Sequence, residues 1–224
     1  MSGFEDAWNR QFGVRRPERI VCVGRNYAAH AQEEGADLPS EPLLFAKLSN
    51  AVVGPGEPIL LPRESGHVDA EAELALVVAK PARRIAPEDA ASVLAGYTAG
   101  NDVSARDLQF GDGQWFRGKG YDTFCPLGTD VVALETLEPD VAVRQLLNGD
   151  VLQDGNTRDF IFGLRTLVAY ITNVVTLERG DVILTGTPDG VGYFREPRVA
   201  LRDGDAVEVV VGDAPPLQNP VAAG

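Results

Sequence analysis

The chain has 224 residues, enough for one sizeable core, and its 33 acidic against 20 basic side chains leave a formal net charge of −13. A surface of that sign repels nucleic acid and anionic membranes, and no window approaches the roughly 20 apolar residues of a membrane span, so neither partner is expected. Cys22 and Cys125 lie far apart without metal-type spacing, and the first residues are polar and acidic where an export signal needs a basic start, so free thiols and a cytoplasmic location are expected.

Residues 1–19 are polar and weakly patterned, a lead-in that pairs as a strand or stays mobile. The apolar run at residues 20–23 predicts a buried strand that delivers Arg25, Asn26 and Tyr27 to its end. Good helix formers follow over residues 28–34 and stop at Gly35, which predicts a short helix. On it His30 and Glu33 stand at i and i+3, so they share a face. A carboxylate that holds a histidine proton raises its basicity and fixes its tautomer, as a general base for water requires. A solvated surface pair is the competing reading.

Further strands are predicted at residues 43–47 and 59–61, around a glycine and proline turn at 54–56. Residues 68–78 then alternate apolar and acidic before turning wholly apolar, which predicts a strand with Asp69, Glu71 and Glu73 on one face. Crowded, half-buried carboxylates need a counter-charge, and a hard divalent cation such as magnesium supplies it through oxygen ligands. A solvated acidic edge is the alternative. A small helix is predicted over residues 87–94.

Residues 96–109 predict a strand that breaks into a polar corner. There Asp102 offers a third oxygen ligand, Arg106 a planar fork suited to a substrate carboxylate, and Gln109 a neutral donor and acceptor. Residues 111–120 predict a glycine-punctuated loop whose Lys119 can face an anion or a developing enolate. Asn148-Gly149 between two alternating runs predicts a hairpin. Apolar residues at helical spacing from Phe162 to Val175 predict the longest helix. A buried strand at 181–185 opens into a tight turn over 186–192, where Thr187 and the amides can grip a carboxylate. Residues 206–211 predict a last strand, and residues 215–224 a tail.

Together these blocks resemble the fumarylacetoacetate hydrolase family, in its short bacterial branch with acylpyruvate hydrolases, oxaloacetate decarboxylases and 2-hydroxyhepta-2,4-diene-1,7-dioate isomerases. The matching residues are Gly24-Arg25-Asn26-Tyr27 with His30 and Glu33, Glu71-Ala72-Glu73-Leu74, Asn101-Asp102-Val103-Ser104-Ala105-Arg106-Asp107 with Gln109, Lys119 before Phe124-Cys125-Pro126, and Thr185-Gly186-Thr187-Pro188. The resemblance implies an α+β fold, a β-rich mixed-sheet roll with few short helices, in which residues 20–224 form a single catalytic domain. It also implies a homodimer, magnesium or manganese on Glu71, Glu73 and Asp102, and a lid carrying His30 and Glu33.

The activity so implied is cleavage of the carbon–carbon bond of an acylpyruvate, such as acetylpyruvate or fumarylpyruvate, through an enolate. His30, oriented by Glu33, takes a proton from water, Lys119 faces the enolate charge, and Arg25, Arg106, Gln109 and Thr187 hold the 2-oxo acid substrate. Oxaloacetate decarboxylation and dienol isomerisation pass through the same enolate and remain alternatives. A non-catalytic protein binding a metal–dicarboxylate complex is the reading from a different class.

Overall fold

The computed structural model describes residues 2–138 and 140–224. Five strands, β1 (Ile20–Gly24), β2 (Leu43–Lys47), β6 (Ala72–Val78), β7 (Leu94–Asn101) and β12 (Val182–Leu184), form one sheet in the order β2-β1-β12-β6-β7. It is mixed, because β1 and β12 run parallel while the other neighbours are antiparallel. Every residue of β1, β6 and β12 is buried, the pattern of strands covered on both faces.

Period-two alternation decides what each face meets. Val21, Val23, Leu74, Leu76 and Ile183 pack against α5 (Leu164–Val174) and against a second five-stranded sheet. That sheet contains β4 (Ile59–Leu61), β10 (Ala142–Leu147), β11 (Asp150–Asn156), β13 (Ala206–Val211) and β14 (Leu217–Ala223), in the order β11-β10-β13-β14-β4. Ile20, Cys22, Ala75, Val77 and Leu184 face the other way, onto Phe4, Trp8 and Phe12. Asn148 and Gly149 both take positive φ in the turn joining β10 and β11, as the Asn-Gly pair predicts.

Four expectations are corrected here. The lead-in is neither strand nor mobile: it is α1 (Gly3–Phe12), capped by the Ser2 side chain and ended by Gly13 in the left-handed region. Its aromatics stand at i, i+4 and i+8, with Phe4 stacked on Trp8 at a centroid distance of 5.0 Å and Phe12 tilted against Trp8 at 4.7 Å. The expected tail contains β14, which lies between β13 and β4 and buries Leu217, Asn219 and Val221 on alternate positions. The glycine-punctuated stretch is largely helical, as α3 (Arg106–Asp112) and α4 (Phe116–Lys119).

The acidic stretch differs most. It breaks between β5 (Val68–Asp69), which pairs with β8 (Ser104–Ala105), and β6, which enters the large sheet. The break turns Asp69 away from its neighbours. Its carboxylate accepts the Gly192 and Tyr193 amides at 3.1 and 3.0 Å and the Arg106 guanidinium at 3.2 Å. A solvated acidic edge is also excluded, since Asp69, Glu71 and Glu73 are all buried.

Candidate active site

The antiparallel register of β6 and β7 builds the site. Glu73 stands opposite Gly100, and the Asp102 amide donates to Glu71 O at 2.9 Å just beyond the paired region. Glu71, Glu73 and Asp102 thereby converge, with one oxygen from each within 4.8 Å of the others. Side chains remote in sequence lock this corner. Asn101 Oδ1 accepts the Glu71 amide at 3.1 Å, and Gln153, reaching across from β11, accepts the Ala72 amide at 2.9 Å.

Cations surround the acids. Lys119 Nζ donates to Glu71 Oε2 at 2.9 Å, Asp102 Oδ2 at 2.7 Å and Ser104 Oγ at 2.7 Å. Lys47 Nζ lies 2.7 Å from Asp102 Oδ1 and donates to the Val103 and Lys119 carbonyls at 3.0 and 2.6 Å. Lys47 therefore joins β2 to both the acidic corner and the lysine that faces it. Sequence reading missed this residue, because its only local signal is one charge at the end of an apolar strand. Arg106 Nη2 pairs with Glu71 Oε1 at 2.6 Å, and its Nη1 donates to Gln109 at 3.1 Å.

These pairings set the charge states. Burial opposes charge on Glu71, but Arg106 and Lys119 more than offset it and hold the carboxyl well below the usual range. Lys119 is likewise disfavoured by burial and kept charged by Asp102 and Glu71. Glu73 behaves oppositely. Burial, then Asp102 and Glu71, push it well above its ordinary value, and the Gly186 amide at 2.7 Å is its one hydrogen bond among the described residues. Three buried carboxylates with one left under-compensated form an all-oxygen donor set that fits a hard divalent cation.

The short helix α2 (Ala28–Glu33) closes over this cluster. His30 is buried, and both ring nitrogens face carboxylates: Nδ1 lies 3.2 Å from Glu33 and Nε2 lies 3.3 Å from Glu34. Glu33 in turn accepts the Gly190 amide at 3.0 Å, and Glu34 accepts Arg25 Nε at 2.6 Å. Burial lowers the His30 pKa, but the bonds to Glu33 and Glu34 more than compensate and raise it to about 9. The expected dyad is thus a triad, and Glu34 is its unforeseen member.

One cavity gathers most of the expected residues: Arg25, His30, Glu71, Glu73, Asp102, Gln109, Lys119 and Thr187 all line it. Two expected substrate contacts are already engaged by the protein. Arg106 is fully buried on Asp69, Glu71 and Gln109, and the Thr187 hydroxyl donates to Ala72 O at 2.9 Å while accepting from Gln153. Their visible work is to orient the acids and the turn beside them.

A carboxylate cluster at strand ends, a lysine aimed into it and a carboxylate-clamped histidine above it form an arrangement equipped for acid–base chemistry. The fumarylacetoacetate hydrolase C-terminal family model matches residues 19–222, and the chain belongs to that family. It is 43% identical over 212 residues to oxaloacetate tautomerase fahd2, mitochondrial, of Xenopus laevis, covering 93% of this chain and 66% of the relative. The chain thus spans about two thirds of that relative's length. Among solved structures it is similar to 5-carboxymethyl-2-hydroxymuconate delta-isomerase from Mycobacterium smegmatis, at 44% identity and a TM-score of 0.83, covering 93% of this chain and 80% of that one. It is also similar to fumarylpyruvate hydrolase from Pseudomonas aeruginosa in complex with Mn2+ and pyruvate, at 31% identity and a TM-score of 0.84, covering 93% and 91%. Among the described residues no helix is long and apolar enough to cross a membrane, and the Xenopus relative is named as mitochondrial, whereas sequence reading expects the cytoplasm.

Proposed function

We propose that this enzyme moves a proton between the enol and keto forms of a 2-oxo acid. The observation that carries the reading is the double carboxylate clamp on His30, which makes the histidine an imidazolium at neutral pH. An imidazolium is an acid, unlike the neutral base that sequence reading expects to activate water. The relatives named as a tautomerase and a delta-isomerase share proton transfer as their reaction class. Hydrolysis of an acylpyruvate is the second reading, favoured by the fumarylpyruvate hydrolase that the chain covers over 91% of its length.

His30 delivers its proton to carbon 3 of the enol, and the resulting imidazole takes up the proton that the enol hydroxyl releases as its oxygen becomes the keto carbonyl. The net change is one O–H bond broken and one C–H bond formed. Glu33 and Glu34 stabilise the imidazolium between turnovers, while Lys119 supplies positive charge beside the substrate oxygens. Magnesium or manganese held by Glu71, Glu73 and Asp102 would supply Lewis-acid stabilisation of the enolate charge. The homodimer belongs to this proposal as well, and light scattering would return about twice the chain mass.

The test is the decay of the enol absorbance of oxaloacetate with magnesium, manganese or chelator, run beside cleavage of acetylpyruvate and fumarylpyruvate. Metal-dependent enol decay that drops by about 10²–10⁴-fold in His30→Gln supports the reading. Cleavage with no acceleration of enol decay would establish the hydrolase instead. The rate is expected to fall as pH rises through about 9, where His30 loses its proton. Glu33→Gln removes a bond that raises this pKa, so the falling limb should move to lower pH; an unmoved limb would show that another group titrates.

A further inference from the structure

Three carboxylates of the site accept backbone amides from one short stretch of chain, residues 186–193. The Gly186 amide holds Glu73, the Gly190 amide holds Glu33 at 3.0 and 3.2 Å, and the Gly192 and Tyr193 amides hold Asp69, the partner of Arg106. One strap of backbone thus touches the acid cluster, the histidine clamp and the arginine behind them. Phe194, the next residue, places its ring 6.3 Å from that of His30. An amide keeps a carboxylate in place only if its own peptide is fixed, so whatever fixes the strap decides how well His30 is aimed.

Arg195 fixes the strap at the point that bears on His30. Its Nε donates to Gly190 O at 2.9 Å and its Nη2 to Leu152 O on β11. The guanidinium therefore clips the strap to the second sheet, and the residue it holds turns its amide to Glu33. Gly190 takes a φ of 96°, and a Cβ there would run into Leu152 O, so a side chain would push the strap away from β11. The chain carries a formal net charge of −13, yet among the described residues the Arg195 side chain meets backbone carbonyls and no carboxylate. A partly buried guanidinium that directs its rigid fork at two carbonyls in so acidic a chain has a geometric task rather than a charge-balancing one.

We propose that Arg195 is a positioning residue for proton transfer: through Gly190 and Glu33 it sets the orientation of the His30 ring. The inference rests on the reading of His30 as the proton donor above. His30 faces Glu33 at Nδ1 and Glu34 at Nε2, shares its cavity with Glu71, and meets Phe194 from the strap. Of the three carboxylates only Glu33 is bonded to the strap, since Glu34 is held by Arg25 and Glu71 by Arg106 and Lys119. Without Arg195 the Gly190 peptide is free to rotate. Glu33, whose side chain is already 19% exposed, then turns toward water, and Nδ1 loses the partner that holds its proton.

The chain has two histidines, so the imidazole resonances of histidine-labelled, magnesium-loaded protein report the protonation of His30 directly. Arg195→Gln should lower the His30 pKa from about 9. It should also lower kcat for enol decay by about ten- to a hundredfold, with the KM for oxaloacetate nearly unchanged. Arg195→Lys keeps one charged donor without the fork and should recover part of both. In a Glu33→Gln background, adding Arg195→Gln should move neither quantity further, because the group through which it acts is gone. Equal losses in both backgrounds, or a His30 pKa that Arg195→Gln leaves unmoved or raises, would overturn the assignment. If Arg195→Gln does not fold, Arg195→Lys decides by the same resonances, and an unmoved His30 again overturns it. A lowered His30 pKa in a protein that does not convert the enol would refute proton transfer and keep Arg195 as a positioning residue. Conversion of the enol with His30 unmoved would do the reverse.

Discussion

In the metal-free state, Glu73→Gln is expected to melt at a higher temperature than the unaltered protein, and to lose both the metal-dependent rise in melting temperature and turnover. Glu73 is buried with a carboxyl pushed well above its ordinary value by burial and by Asp102 and Glu71. A folded-state pKa raised above the unfolded value of about 4.3 means that the fold is favoured while the group is protonated, and that stability falls as pH rises through the raised folded pKa. Glutamine is neutral at every pH and keeps an oxygen for the Gly186 amide, so it removes that loss without opening a cavity. The cost appears when the cation is added. A metal at 100 times its Kd stabilises a fold by about 2.7 kcal/mol, which for a chain of this size is about 5–10 °C. That rise should be absent in the variant, and the rate should fall by about three orders of magnitude, as expected when several kcal/mol of enolate stabilisation are lost. Calorimetric scans with chelator, magnesium and manganese measure both signs. A variant that keeps the full metal-dependent rise would remove Glu73 from the ligand set.

The largest stability effect is expected far from the acids. Trp8→Ala should destabilise the protein by about 3–5 kcal/mol, a fall of roughly 10 °C in melting temperature, with the rate at low temperature unaltered. Trp8 is fully buried between Phe4 and Phe12, and its indole donates to Gly180 O at 3.1 Å. The substitution empties that space and leaves a buried carbonyl without its donor. None of these three aromatics lines the catalytic cavity. Denaturant unfolding gives the magnitude, and a change below 1 kcal/mol would show that α1 does not cover the sheet face formed by Ile20, Cys22, Ala75, Val77 and Leu184.

Stability near the site should also follow His30. Its folded pKa of about 9 exceeds the unfolded value of about 6.5, so its contribution is complete below 6.5 and is lost as pH rises through about 9. The two carboxylates therefore make the same proton serve the fold and the reaction.

The sequence by itself determined the elements whose patterns are local. Short apolar runs mark β1, β2, β12 and β13, the Asn148-Gly149 pair marks a turn that needs positive φ, and helical spacing from Leu164 to Ile171 marks α5. The family resemblance carried by its separated blocks named the three acids, where alternation alone grouped Asp69 with Glu71 and Glu73. Two local signals were present and overlooked: Phe4, Trp8 and Phe12 at one helical face, and Leu217, Asn219 and Val221 at alternate strand positions. What only the tertiary structure decided are matters of long-range pairing. Alternation places Asp69 beside Glu71 and Glu73, but the break before β6 and the amides of Gly192 and Tyr193 draw it elsewhere. Lys47 reaches Asp102 across 55 positions of chain, and Glu34 meets Arg25 because α2 folds back over the end of β1, whereas its contact with His30 is a local i,i+4 pair. Charge states follow the same division, since a residue's type fixes which proton it can carry while burial and neighbours decide whether it does.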